Sequence, residues 1–357
     1  METENKNQGD KHLYEAINRL IGLIVFLLFC ILGLLYVILF GFPKLSMETP
    51  APDPSSSSSK STLSLSPFGV SPDTNSIPAG EAGKQIRYGR LLIANTAFYL
   101  GPKGSVAHQS NGMNCQNCHL DAGTKPWGNN YSAVASTYPK FRERSGKTES
   151  IYKRVNDCFE RSLNGKGLDS GSAEMQAIKA YIVWLGKEVK KGEKPAGSGI
   201  EDLAFLTRAA DPVKGKDLFH AKCISCHGED GQGKPNADGI TYIYPPLWGE
   251  HSFNAGAGLF RIGRFAGYIK NNMPQGATKE APQLTDEEAW DIAAFVNSRD
   301  RPKGDISKDW PNKAGKPVDH PFGPYADTFS EAQHKYGPYG PIAEARKKQL
   351  KKQSKKS

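Results

Sequence analysis

The chain has 357 residues, enough for about two domains at the usual ~150 residues each. Its formal charge is +9, but seven basic residues fall within 346–356, so the body is only mildly basic. No nucleic-acid-binding motif accompanies that run, which reads as a solvated tail or as a contact for anionic lipid or an acidic redox partner.

The first predicted element is 20–43, 24 residues without a charge. As a helix it would run about 36 Å, enough to cross a ~30 Å hydrocarbon core. It is long for a signal peptide, and "FGFPKLSMETP" offers no small-residue cleavage pattern. The expectation is an uncleaved transmembrane anchor, with 1–19 on the cytoplasmic side. Cys30 lies inside the run as a lipid-facing or packing residue. Residues 44–81 are rich in Pro and Ser and read as a tether.

Order is predicted again from 82. Apolar residues recur at helical spacing in "IRYGRLLIANTAFYLG". In "SAEMQAIKAYIVWLGKEVK", Met175, Ile178, Ile182, Leu185 and Val189 form one stripe behind a Ser172 N-cap. A short linker, "KKGEKPAGSG", follows, and a second unit spans 205–302. Its last helix opens with Thr285 and Glu288 in capping-box spacing and stops before Pro302. The same plan therefore occurs twice, in 82–195 and 205–302: a helix, a cysteine motif, loops and a closing amphipathic helix. Strand signals are sparse, so the fold is expected to be mostly α. Residues 303–357 lack strong periodicity and read as an extended basic tail that wraps the surface or is disordered.

Each unit holds one C-x-x-C-H: "CQNCH" (Cys115, Cys118, His119) and "CISCH" (Cys223, Cys226, His227). This is the attachment signature of c-type haem. Two thiols become thioethers, and the adjacent histidine reaches the iron. One match could be chance or a redox dithiol. Two matches in two similar helical units argue for two covalent haem c groups. "CHGEDGQGKPN" resembles the loop of class I cytochrome c domains, which implies two domains of that kind and a periplasmic location. In the second unit Met273, in "NNMPQG", is the expected distal ligand, with His251 and nearby lysines as lesser candidates. In the first unit the candidates are Met175, His108 and Cys158.

Cys158 stands in "RVNDCFERSLNG". On a helix, Arg154 and Ser162 lie four residues either side of it, and Arg161 lies three after. Cations beside a thiol favour its thiolate. Guanidinium groups also bind oxyanions through paired hydrogen bonds. The bland alternative is that these arginines serve haem propionates or solvent and that Cys158 is packing.

"NGMNCQNCHLDAGTKPWG", "RVNDCFERSLNGK", "YPPLWG", "GAGL" and "NNMPQG" together resemble the dihaem thiosulfate dehydrogenases, over roughly 85–302. The resemblance implies an enzyme that joins two thiosulfates into tetrathionate at a His/Cys-ligated haem. Electrons then leave through a second haem to an acceptor such as a small cytochrome c. It implies His119 and Cys158 as ligands of the first iron, and His227 with Met273 at the second. Arg144, Arg154 and Ser162 match positions that line the substrate pocket. Leu259 stands where some relatives carry a switching methionine, which leaves Met273 favoured. Tetrathionate reduction at the same site, a membrane-tethered electron carrier and a sulfur-transfer cytochrome remain as alternatives.

Overall fold

In this computed structural model the described residues are 18–32, 35 and 71–353. Residues 18–32 form a helix with exposed side chains. At 1.5 Å per residue it reaches only about 22 Å, short of a ~30 Å core. No described helix is long and apolar enough to cross a membrane. The expected span over 20–43 is therefore not found, and the rest of it lies outside the described residues. The 1–19 segment and the 44–81 tether lie mostly outside them too.

The two predicted helical units are built on one scheme. In the first, helix α1 (Gly80–Ala94) crosses α3 (Ala173–Leu185). Between them in the chain comes the short α2 (Ile151–Asp157). In the second, α4 (Pro212–Lys222) crosses α6 (Asp286–Ser298), and α5 (Ile262–Asn272) packs on α6. The crossings match at atomic detail. A Cβ on Gly89 would stand 1.9 Å from the Ala177 carbonyl oxygen, and one on Gly215 would stand 1.9 Å from that of Asp291. Only glycine lets the helix backbones approach so closely. The weak repeat in the sequence is thus one helix crossing used twice.

Local signals explain the helix ends. Ser172 accepts from the Met175 amide, and Thr285 and Glu288 complete a reciprocal capping box. α3 stops at Leu185, before Val189, because Gly186 leaves the helix. Met175, Ile178, Ile182 and Leu185 are buried, as the stripe predicts, and Met175 is plain core. The sheets are two small antiparallel hairpins. β1 (Lys140–Arg142) pairs with β2 (Lys147–Glu149), and β3 (Lys234–Pro235) with β4 (Tyr242–Tyr244).

The C-terminal region wraps the surface, and it contains helices where an extended tail was expected. Residues 303–353 lie over both haem-motif units and include α7 (Glu331–Tyr336) and α8 (Gly340–Gln353). Tyr339 and Ile342 are buried, and Tyr339 packs on Trp290 with ring centres 5.7 Å apart. Asp309 grips Arg161 of the first unit through two bonds of 2.7 and 2.8 Å. Asp319 grips Arg261 of the second at 2.6 and 2.8 Å. Wrapping over the surface was one of the two expectations for this strap; its helices and its pairings were not, because tertiary pairing of this kind leaves no strong period to read.

Candidate active site

The first C-x-x-C-H opens into a cavity. Cys115, Cys118, His119, Arg154, Cys158 and Ser162 all line it. These residues come from the loop after α1 and from α2. At Cys158 the α-helix of α2 gives way to a π-helical turn, Cys158–Ser162. The wider turn brings Ser162 to the same cavity as Arg154. It sends Arg161 elsewhere, to Asp309 on the strap. The predicted single face of arginine, cysteine and serine thus keeps Arg154, Cys158 and Ser162 together, without Arg161.

Arg154 Nη1 donates to Cys158 Sγ at 3.0 Å. The Cys158 sulfur holds the guanidinium above its ordinary range, against the opposing effect of burial. Arg144 is placed differently from Arg154. Its Nη2 donates to Asp157 Oδ2 at 2.7 Å, and it is absent from the cavity wall. Lys153 also pairs with Asp157. Arg142, two residues earlier on β1, lines the cavity instead.

His119 Nδ1 meets the Asn129 carbonyl at 2.6 Å. A carbonyl only accepts, so Nδ1 carries the proton and Nε2 keeps the lone pair; here it accepts from the Asn129 side-chain amide at 3.2 Å, and it is the atom that would ligate a metal. Asn129 reaches this position with φ of 61°, a conformation asparagine tolerates. Burial pushes His119 down to about 3, which keeps the ring neutral. His227 repeats the arrangement, with Nδ1 3.2 Å from the Pro245 carbonyl and burial again lowering its pKa. Burial pushes Cys115 and Cys118 up to about 12 and Cys223 up to about 11. Such sulfurs suit neutral thioethers. Thiols and imidazole therefore fit a covalent haem at each motif.

Met273 is half-buried at the C-terminus of α5, packed against the core. His108 and His251 are exposed. The second unit also closes the first cavity, through Phe253, Ala257, Gly258 and Leu259. Tyr268 on α5 donates its hydroxyl to the Asn117 carbonyl, inside the first C-x-x-C-H, at 2.9 Å. Sequence reading missed Arg142, Arg261 and Arg264 in the cavity wall. For Arg142 a signal was present: "KFRER" alternates cations at the two-residue period of a strand.

Comparison with known proteins gives the family. The chain is 40% identical over 252 residues to a thiosulfate dehydrogenase of Psychrobacter arcticus, covering 70% of this chain and 74% of that one. This chain belongs to the thiosulfate dehydrogenase family. A family member from Allochromatium vinosum is also 40% identical, over 63% of this chain and 82% of its own. Residues 105–190 match the SoxA/TsdA cytochrome c domain, and 212–300 match the cytochrome c domain. Among solved structures, thiosulfate dehydrogenase (TsdBA) from Marichromatium purpuratum, in its "as isolated" form, superposes with a TM-score of 0.61 at 30% identity. The match covers 66% of this chain and 50% of that one. The chain is thus a dihaem c-type cytochrome with one covalent haem per motif.

Proposed function

We propose that the cavity beside Cys158 joins two thiosulfate dianions through their sulfane sulfurs, giving one tetrathionate dianion and two electrons. The observation that carries this reading is the 3.0 Å contact of Arg154 with Cys158 in the cavity of the first C-x-x-C-H. His119 and Cys158 are the proposed ligands of the first iron, and His227 and Met273 those of the second. The bound haems supply acceptors for the two electrons, which leave for an external acceptor such as a small cytochrome c.

The protein's own task is electrostatic. Two dianions brought to bonding distance repel strongly in a partly buried site. Arg154 offsets that charge through the N–H groups that do not face Cys158, and Ser162 adds a hydroxyl. Arg144 acts in this reading as a positioning residue. It holds the buried Asp157 carboxylate, which keeps that negative charge bound and steadies the turn at Cys158. Haem attachment at C-x-x-C-H takes place outside the bacterial cytoplasm, so the reading places residues 71–353 in the periplasm.

The test is anaerobic mixing of the fully oxidised protein with thiosulfate, following haem absorbance and tetrathionate together. Haem reduction with stoichiometric tetrathionate supports the reading. No reduction by thiosulfate, with oxidation of the reduced protein by tetrathionate, would assign the reverse direction. Silence toward both would leave an electron carrier.

A further inference from the structure

The cavity at Cys158 extends outward from the reacting centre. Beyond His119, Arg154 and Cys158 its wall includes Lys140, Arg142, Lys194 and Arg264. Lys140 and Arg142 stand on one side of β1, while Phe141 between them is exposed on the other. Lys194 arrives on the loop after α3. Five cations therefore face this space, and Asp202 is the one carboxylate among its lining residues.

That carboxylate is already engaged, with Arg264 at 2.5 Å. Arg142 finds its nearest acid, Glu149, at 4.0 Å from Nε, too far for a hydrogen bond. Burial, then the neighbouring Lys194 and Arg142 charges, push Lys140 below the ordinary lysine range. Five cations with one lining carboxylate among them leave a net positive charge that an entering anion would offset. Charge counting points the same way. Two thiosulfates bring four negative charges, and of the cations around the inner cavity Arg261 and Arg264 already hold Asp319 and Asp202, which leaves Arg154 and, on the outward side, Arg142. A tetrathionate dianion also carries a sulfonate at each end, so a second group of cations is needed away from Arg154.

We propose that Lys140, Arg142 and Lys194 form a second oxyanion subsite at the mouth of the cavity. It holds the sulfonate of the thiosulfate that is not bound at Arg154, and the outer sulfonate of tetrathionate. The subsite rests on the reading of the Cys158 cavity given above. The same cations also raise the local concentration of divalent sulfur oxyanions, an effect that salt screens.

The experiment uses the intact dihaem protein, a Lys140→Gln/Lys194→Gln double variant and Arg142→Gln. Lys140 and Lys194 reach solvent, so their replacement leaves the core untouched. The KM for thiosulfate is expected to rise about tenfold in the double variant, the equivalent of one lost ion contact per sulfonate. The expected fall in kcat is much smaller. The decline of kcat/KM with added sodium chloride should flatten. Haem content and both midpoint potentials should stay at parent values. Parent-like KM and salt dependence in active variants would overturn the subsite. So would a shifted potential of the first haem at unchanged KM, which assigns these cations to haem propionates. A parent protein inert toward both thiosulfate and tetrathionate would overturn the underlying reading of the cavity instead, and the subsite with it.

Discussion

The two haem-motif units share a scaffold and differ in what surrounds the metal site. Both cross their first and last helices at a glycine, Gly89 on Ala177 and Gly215 on Asp291. Both aim the proximal histidine through a backbone carbonyl, Asn129 or Pro245. The first then adds Cys158, Arg154 and a set of cations around an open cavity. The second adds a half-buried methionine at the end of a helix. A fold that only holds a haem needs the shared part. The unshared part lies in the first unit, which is why the reaction is proposed there and electron exit is proposed for the second.

The sharpest break of that comparison is Cys158→Gly. Turnover of thiosulfate should be lost, while mass spectrometry finds both haems attached. Near-normal turnover would remove the chemical difference between the units. Next comes Met273→Leu. A thioether raises the potential of its iron. The variant should lose the methionine-ligation charge-transfer band, and the second potential should fall in a redox titration. Turnover should drop but persist, with the first potential unchanged.

The strap gives a smaller effect. Asp309→Asn removes the charge that holds Arg161, one turn from Cys158, and should cost about 2 kcal/mol in urea unfolding. Its equivalent across the second unit is Asp319 with Arg261.

The smallest effect is a pH dependence. Although burial opposes it, His334, the Phe329 amide and Arg346 hold Asp327 below the ordinary carboxylate range. A depressed carboxylate contributes stability that is complete above its unfolded value, near pH 4, and is lost as pH falls through its lower folded value. Asp327→Asn should therefore flatten the acid limb of the stability curve below about pH 4. An unchanged acid limb would show that the carboxylate adds nothing there.

Much of the site could be read from local spacing. The two C-x-x-C-H motifs, the Thr285–Glu288 box and the stripe of α3 are each set within a few residues, and all recur in the structure. Cys158 with Arg154 and Ser162 was legible because they share one helical segment. Arg144 was matched to the pocket by resemblance, yet it bonds Asp157, because the hairpin turns Arg142 to the cavity in its place.

By itself the sequence determined where sulfur, imidazole and guanidinium stand along the chain, and which short segments become helices. Those depend on propensity, capping and periodicity, all local. Only the tertiary structure decided that the second unit walls the first cavity, that the tail is a strap, and that Lys194 joins Lys140 and Arg142. These juxtapositions arise from packing between residues tens to hundreds of positions apart. No local pattern encodes them, because the free energy that selects them is gained only when distant surfaces are buried together.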